Sequence, residues 1–435
     1  MPPKDLKVFA IAGLLFAASA FLLGNFIGRN ESSFLLSVYC LFFFSYLLLL
    51  FQNVPKSYFF WLGVSSRILL FFSMPALSDD IYRFLWDGYL LKNGLHPFAE
   101  LPGFYLDHLP TGLTEALYER LNSPNYFTIY PPLNQGLFWL CVQIGDSWLA
   151  STNVLRTVIL IADLGSLWLL KKILPYYSKD PKWSYAYFLN PLVILELTGN
   201  LHFEGLVVFF LLLGMYAYKT RNVWFSAAGF GLAIGTKLLP LIYLPYLLFS
   251  NLRSRLAWIS VFSGVVGLLT LLPLASASFI NGMGASLDLY FRKFEFNASI
   301  YYCAREVGIW ILGYNPIAKL GPALSVTSVV YILAISVIGT RKGWRQPFIF
   351  LLILLGYLAL STTVHPWYII PLIAFGILSG FWFPLVWSLT VFLTYLGYSE
   401  LGFQLPIWVV AVEYSLVAAF ALFEFLILNK RDLDL

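Results

Sequence analysis

The sequence predicts an all-α polytopic membrane protein, a helical bundle with about 12–15 transmembrane helices and further juxtamembrane helices in its first outer loop. Three observations support this fold class. Of the 435 residues, 60% are hydrophobic and 11% are charged, whereas average soluble domains carry roughly 25% charged residues. Apolar runs near the length of a membrane-crossing helix recur from one end of the chain to the other. The 40 Phe, 27 Tyr and 14 Trp are typical of membrane interfaces.

Fourteen apolar stretches are the predicted spans. They are residues 8–28, 34–52, 58–77, 153–170, 184–199, 203–218, 223–236, 238–250, 256–275, 322–340, 346–361, 366–380, 382–398 and 406–428. Two further apolar stretches, 133–149 and 303–315, are expected not to cross fully, because only then do all Lys and Arg clusters fall on the cytoplasmic side. Both chain ends are then cytoplasmic. Residues 1–435 are expected to form one membrane domain without a separate soluble domain.

This topology places most of the remaining polar residues on the outer face. The first outer loop is residues 78–132, and residues 276–315 form a second outer loop or re-entrant segment. The expected location is a bacterial inner membrane, with the site facing the periplasm or the outside. The polar residues expected to converge there are Asp79, Asp80, Arg83, Asp87, His202, Glu204, Lys237, Arg292, Lys293, Glu295, Arg305 and His365.

Two adjacent carboxylates, Asp79 and Asp80, open the first outer loop in the stretch "SDDIYRFLWDG". Single carboxylates are common at solvated helix ends, but two in a row followed by an arginine and a third carboxylate favour a functional site. On a surface helix, Asp80, Arg83 and Asp87 would share one side by their spacing, and Asp79 would point into a cavity. Asp79 is therefore favoured as a general base, while Asp80 pairs with Arg83 or helps to hold a metal.

Two motifs supply candidate sugar contacts. In "NYFTIYPPLNQG", Tyr130 could stack on a sugar ring, or the motif could serve only as a rigid helix start, because proline is tolerated in the first turn. In "GNLHFEG", His202 and Glu204 could contact sugar hydroxyls or a metal, or could be ordinary hydrogen-bonding residues of a tight turn.

Basic residues in the outer segments are candidates for holding a phosphate. Lys237 stands between short apolar runs, where a lysine either snorkels to the interface or has a function. The aromatic-rich stretch 290–306 is either a phosphate-holding loop or an amphipathic interfacial helix. The residues expected to meet at one point are Lys237, Arg292 and His365, with Arg305 and Lys293 as reserves. Arg67, in the middle of a span, is expected to face the interior and pair with a carboxylate or carbonyls.

No cofactor is certain from the sequence. Asp79 and Asp80 are the one candidate pair for a hard divalent cation, Mg²⁺ or Mn²⁺. The sequence has no Gly-rich nucleotide-binding loop, so the energy for any group transfer must come from an activated substrate. The net charge of +5 resides in short loops, so no nucleic-acid partner is expected.

Five motifs in order carry a family resemblance. They are "SDDIYRFLWDG…NGLHPF", "YFTIYPPLNQ", "NPLVILELTGNLHFEG", "GTKLLPLIYLP" and "HPWYIIPL". Between about Arg67 and Tyr368, the chain resembles GT-C glycosyltransferases of the polyprenyl-phosphate-mannose-dependent alpha-mannosyltransferase type. The resemblance implies a GT-C helical bundle in membrane lipid, a polyprenyl-phosphate donor of mannose, and inverting transfer to a hydroxyl of a glycan or glycolipid. It also implies that Asp79 or Asp80 is the catalytic carboxylate. "NGLHPF" has His96 where such sequences often read Asn.

Two other functions fit parts of the pattern. A transporter or flippase for polyprenyl lipids or glycolipids would also use charged residues and broken helices within the membrane. The absence of an internal repeat and the one-sided polar residues speak against it. A non-catalytic scaffold would tolerate changes at the conspicuous polar positions.

Overall fold

The structure is a computed structural model that describes residues 3–249, 255–399 and 402–428, with the side chains of residues 3, 255–257, 290–292, 427 and 428 outside the description. Helices dominate this part of the chain. The first ten are α1 (Pro3–Asn25), α2 (Ser32–Leu50), α3 (Lys56–Ile68), α4 (Asp80–Lys92), α5 (Glu115–Tyr118), α6 (Pro132–Ile144), α7 (Trp148–Ile173), α8 (Ser184–Phe188), α9 (Pro191–Val193) and α10 (Glu204–Lys219). The rest are α11 (Val223–Thr236), α12 (Leu244–Phe249), α13 (Arg255–Leu269), α14 (Ala277–Arg292), α15 (Ile300–Leu312), α16 (Ile317–Lys342), α17 (Gln346–Leu360), α18 (Ile370–Ser379), α19 (Phe383–Thr390) and α20 (Ile407–Leu428).

Shorter elements join these helices. A π-helical segment runs from Ile194 to Gly199. Eight 3₁₀ segments are Leu69–Phe72, Pro102–Tyr105, Leu174–Tyr177, Pro181–Trp183, Leu239–Tyr243, Leu272–Leu274, Pro366–Ile369 and Val391–Gly397. The strands β1 (Tyr398–Ser399) and β2 (Gly402–Phe403) pair antiparallel.

The predicted all-α polytopic class is confirmed. Within the described part, α1, α2, α16 and α20 are long and apolar enough to cross a membrane, and two bent helix pairs raise the number of possible spans to six. Five shorter apolar helices of 10–17 residues accompany them. The larger count of 12–15 crossing helices stays a prediction.

Several predicted spans take a different form. The stretches 184–199 and 203–218 become one bent pair, with 113° between Pro191–Gly199 and α10. The helical structure breaks at Asn190, just before this bent pair. The Asn190 side chain accepts hydrogen bonds from the first amides of the next helix and so caps that helix. Residues 276–315, expected as a second outer loop or a re-entrant segment, contain the helices α14 and α15, and α14 is bent by 114° from the helix before it. Both α6 and α15 have 13 residues, too few to cross a bilayer, as expected for these stretches.

The first outer loop contains helices, as predicted, but α4 is packed inside the protein and does not lie on its surface. Nine of its 13 residues are buried. It packs closely on α6 at Gly88, where an added Cβ would stand 2.4 Å from the carbonyl oxygen of Phe138. This close approach brings the second half of α4 against α6.

His96 ties the first outer loop to the bend before α14. Its Nδ1 accepts a hydrogen bond from the Phe98 amide at 3.2 Å, and its Nε2 lies 3.1 Å from the carbonyl oxygen of Leu274. The hydroxyl of Ser276 is also 3.1 Å from Nε2. His96 therefore accepts a local hydrogen bond, as a shorter Asn could, and also contacts a segment that is distant in the sequence.

Arg67 is fully buried and paired, which confirms the prediction for this residue. Its Nε donates to Asp163 on α7 at 2.7 Å, and two more nitrogens donate to the carbonyls of Gly63 and Phe188. Since neither charge reaches water, the pair fixes α3 against α7 and α8. Removing one member would leave the other unpaired in a low dielectric.

The Arg67→Met variant is accordingly expected to lose about 3–5 kcal/mol of stability, whereas an Arg67→Met, Asp163→Leu double variant recovers most of it. Thermal unfolding in detergent measures both. Arg29→Met, which breaks a part-exposed pair with Asp79, serves as the control and should change stability by about 1 kcal/mol or less. Equal unfolding temperatures for Arg67→Met and the unchanged protein would contradict this account.

Candidate active site

Asp80 is the first residue of α4, and its carboxylate lines a cavity. The Tyr130 hydroxyl donates to one carboxylate oxygen at 3.0 Å, and the Asn122 amide donates to the other at 2.7 Å. His202 Nδ1 lies 3.8 Å from the oxygen that Tyr130 contacts. A carboxylate at a helix N-terminus is favoured by the helix dipole, and these donors fix its orientation.

Asp79 does not occupy the position expected for it. Asp79 is the N-cap residue of α4, and it forms an ion pair with Arg29 from the segment between α1 and α2. The Arg29 guanidinium also lies over the Tyr398 ring, 5.1 Å from its centroid. Because α4 begins at Asp80, the helix phase directs Asp80 into the cavity, and the expectation that Asp79 points there is wrong.

The cavity has a volume of about 470 Å³. Polar side chains line one part of it, among them Asp80, Tyr130, Glu204 and Lys237. Another part is apolar or lined by small residues from α14 and α16. These residues are Leu287, Gly321, Ser325, Ser328, Val329 and Ile332. Since α16 is one of the apolar helices long enough to span a membrane, the cavity combines a charged end with a wall suited to hydrocarbon.

Lys237 and Glu204 form an ion pair in the charged end. Glu204 is the first residue of α10, and Lys237 directly follows α11, so the helix dipoles favour both charges. The Lys237 ammonium also lies 5.4 Å from the centroid of the Tyr368 ring. Glu204 is 2% exposed, and its Oε2 makes no hydrogen bond within the described residues. Lys237 is therefore a cation fixed by Glu204 in the cavity, and its side chain does not snorkel to the membrane interface.

Arg83 and Asp87 were predicted to contact substrate, but both are buried away from the cavity. Arg83 Nε donates to Asp87 at 2.9 Å, and its Nη1 donates to the carbonyl oxygen of Tyr126 at 2.9 Å. Gln135 donates to the other Asp87 oxygen at 2.8 Å. The pair ties the end of the outer loop to α4 and α6, so the expected pairing of Asp80 with Arg83 is also wrong.

The three basic residues expected around a phosphate, and the two held in reserve, do not all meet. Lys237 lines the cavity, and the Arg292 side chain lies outside the described residues. The side chain of Lys293 is 69% exposed. Arg305 is held by Glu295 and by its neighbour Glu306. The amphipathic-helix interpretation of this region fits α14 and α15 better than a loop does.

His365 lies behind the cavity wall. Its ring stacks on Trp367 with centroids 4.4 Å apart and packs on Phe296 at 4.5 Å. Burial lowers the pKa of His365 to about 3, and electrostatic repulsion from His202 and Lys237 adds to this effect. His365 is thus neutral, so it is not the cationic phosphate contact that was expected.

On the other side of Trp367, the His202 ring stacks with centroids 3.5 Å apart. His202 Nε2 lies 3.3 Å from Glu196 Oε2. Glu196 was missed because it sits inside an apolar run that reads as a plain span. One signal was present, since a lone carboxylate within a predicted span marks a functional or paired residue.

The divalent cation suggested for Asp79 and Asp80 stays a prediction. The two carboxylates have different partners, Arg29 for the first and Tyr130 for the second. Among the residues that the structure describes, no group of three or more His, Cys, Asp or Glu side chains could hold a metal.

The fold and the cavity define a polytopic helical membrane protein with a charged site beside an apolar wall, and comparison with known proteins agrees with the resemblance seen in the motifs. Residues 57–253 match the family described as "Alpha-(1->6)-mannopyranosyltransferase, N-terminal domain". The predicted similarity to mannosyltransferases is thereby confirmed. This region contains Asp80, His202, Glu204 and Lys237.

Two curated relatives carry the same name. The chain is 28% identical over 234 residues to alpha-(1->6)-mannopyranosyltransferase A of Mycobacterium tuberculosis. It is 22% identical over 214 residues to the protein of that name from Corynebacterium glutamicum. Each match covers 47% of this chain, and 43% and 42% of the respective relative. The chain thus matches less than half the length of these relatives.

A pH effect on stability follows from the buried imidazole. In the unfolded chain His365 takes up a proton near pH 6.5, while the folded protein resists it down to about pH 3. Stability should therefore fall as the pH drops below 6.5, by about 1.4 kcal/mol at pH 5.5 for this one group. Thermal unfolding of the His365→Phe variant should lack this part of the pH dependence.

His108→Gln is the matched control, since His108 is exposed. It should keep the full acid-side loss. If the His365→Phe variant loses stability with acid as steeply as the control does, the neutral, buried imidazole is not its cause.

Proposed function

We propose that the protein is a membrane mannosyltransferase that moves one mannose from a polyprenyl-phosphate donor to an acceptor hydroxyl. The observation that carries this proposal is the cavity, which joins the Asp80 carboxylate and the Lys237 ammonium to an apolar wall at α16. The names of the matched relatives support mannose as the sugar and a 6-hydroxyl as the acceptor group.

The shape and polarity of the cavity support a lipid-linked donor. The Leu287, Val329 and Ile332 side chains along one wall suit a hydrocarbon chain. Lys237 is placed to attract the donor's phosphate. The side chain of Val329 is 55% exposed, which suits a wall that faces lipid. A nucleotide-linked donor would need polar contacts for its base and ribose.

Asp80 acts as the general base in this proposal. The acceptor oxygen forms a bond to the anomeric carbon of mannose while its proton passes to Asp80. The bond from that carbon to the phosphate oxygen breaks, and its electron pair stays on the phosphate. Lys237 stabilises the negative charge that builds there. Tyr130, which also lines the cavity, orients Asp80 and offers an aromatic face to the sugar.

The anomeric configuration of the donor that the protein accepts tests whether the transfer is inverting. An inverting transfer that forms an α-linked product requires a β-linked donor.

The predicted orientation, with the site facing the periplasm or the outside, follows from the Lys and Arg clusters in the other loops.

Asp80→Asn should lower kcat about 10²–10⁴-fold, because the variant keeps the shape of the side chain and loses the base. The assay is transfer by the purified protein from a synthetic short-chain polyprenyl β-mannosyl phosphate to an alkyl α-mannoside with a free 6-hydroxyl. Asp79→Asn, the same change one residue earlier, is the matched control and should fall less. A larger loss for Asp79→Asn with donor binding intact would assign the base to Asp79.

Lys237→Met should cost about 2–4 kcal/mol of transition-state stabilisation, measured as the loss in kcat/KM for the donor. The reason is that no other described basic side chain lines the cavity. Lys293→Met removes an exposed ammonium and should leave kcat/KM nearly unchanged. Equal effects of the two changes would mean that Lys237 does not bind the leaving phosphate.

A further inference from the structure

A line of polar groups leads from the cavity into the protein. Asp80 Oδ2 lies 3.8 Å from His202 Nδ1, and His202 Nε2 lies 3.3 Å from Glu196 Oε2. His202 is thus placed between a carboxylate that lines the cavity and a carboxylate with no exposed surface. The cavity-side member of the line is the base of the proposed transfer.

Glu196 is held in a defined orientation. Its Oε1 accepts a hydrogen bond from the Tyr395 hydroxyl at 3.0 Å, and its Oε2 accepts one from the Asn200 amide at 3.0 Å. Within the described residues, His202 is the one group at ion-pair distance that could offset its charge. A fully buried carboxylate is costly unless it is paired or protonated, which makes this contact informative.

The backbone that presents Glu196 and His202 is unusual. Glu196 lies in the π-helical segment Ile194–Gly199, a conformation that is rare and frequent at functional sites. Leu201, immediately before His202, has a φ of 66°, a region that a leucine enters at a cost. Both features place side chains where a regular helix would not.

Buried Arg156 secures the same turn. Its Nε donates to the carbonyl oxygen of Thr198 at 3.1 Å and its Nη2 to that of Gly199 at 3.4 Å. The surrounding structure therefore fixes this strained segment, as expected where the strain serves a site.

His202 Nε2 is buried and makes no hydrogen bond within the described residues, and Glu196 Oε2 lies 3.3 Å from it. When Nε2–H points at the Glu196 carboxylate, the Nδ1 lone pair faces Asp80. The Trp367 ring, stacked on the imidazole, keeps the ring in that plane. The separation of 3.8 Å between Nδ1 and Asp80 becomes a hydrogen bond after a side-chain movement of about 1 Å.

We propose that His202 takes the proton from Asp80 after each transfer and that Glu196 is the positioning residue that orients His202 for this step. This inference rests on the proposed function. The acceptor proton, first bound to Asp80, moves to His202 Nδ1, which restores the Asp80 carboxylate and leaves an imidazolium beside Glu196. The imidazolium then loses the proton to water, and the site is ready for the next turnover.

Glu196→Gln tests the role, because glutamine keeps the size and loses the charge. We expect kcat to fall about 10–100-fold, the range known for carboxylate partners of metal-binding histidines, and KM for the donor to fall with it, because the slowed step follows the transfer. The solvent deuterium isotope effect on kcat should rise, because proton transfer becomes slower than the other steps. A merely structural role would not raise it.

Glu413→Gln is the matched control. Glu413 is also a fully buried carboxylate, and it accepts hydrogen bonds from Asn297 and Trp387 away from the cavity. This control should keep kcat and the isotope effect of the unchanged protein. In the His202→Gln background, Glu196→Gln should add no further loss, because the two residues act as one unit.

The outcomes separate this inference from the function on which it rests. If Asp80→Asn retains full activity, the proposed base is wrong. If Asp80→Asn is inactive while Glu196→Gln equals the unchanged protein, the base stands and the role of Glu196 is overturned. Equal losses in the Glu196 and Glu413 variants would likewise overturn it. Should Glu196→Gln not be recovered folded, His202→Gln is measured alone, and an unchanged kcat there overturns the proposal.

Discussion

A charge inside an apolar bundle must be neutralised by a partner close to it, and this constraint organises the structure. Two of the buried pairs, Arg67 with Asp163 and Lys237 with Glu204, join elements far apart in sequence, because an unpaired charge in a low dielectric is too costly to keep. A third pair, Arg83 with Asp87, lies within α4 and also holds the outer loop. Asp80 differs from all of these. It borders an open cavity and receives only neutral hydrogen-bond donors and a histidine at a longer distance.

Helix ends place the charges that line this cavity. Asp80 and Glu204 are the first residues of α4 and α10, and Lys237 follows the last residue of α11. Each charge has the sign that its helix dipole favours. Short helices that end inside the protein can therefore hold ionised side chains at a depth where a continuous span could not. The bends interrupt the apolar pattern of the sequence, and they create the helix ends that hold these charges at the cavity.

Sequence reasoning identified the fold class and many residues of the cavity but misplaced some of their contacts. Composition is enough to recognise a helical membrane protein, and the isolated Arg67 in an apolar run already requires a buried partner. The choice between Asp79 and Asp80 depends on where α4 begins, and a shift of one residue reverses which side chain faces inward. Glu196 was overlooked although a lone carboxylate in a predicted span is a signal, because the π-helical turn that brings it near His202 cannot be read from the sequence. The predicted meeting of His365 with Lys237 at a phosphate failed, as did the use of Lys293 and Arg305 as reserves, because sequence order carries no information on which loops approach one another.

The charge balance of the cavity bears on the order of steps in the proposed reaction. Among the described residues that line the cavity, Asp80 and Glu204 bring one more carboxylate than the ammonium of Lys237 can offset, and a donor phosphate would add a further negative charge. During transfer, Asp80 becomes neutral as the phosphate gains a charge, so the total charge of the cavity stays constant. Passing the proton on to His202 while the phosphate is still bound would restore a carboxylate beside a more negative phosphate. The repulsion between them makes that order unfavourable. The phosphate therefore leaves before the proton does, and the role of His202 belongs to the resetting of the site rather than to the bond-forming step.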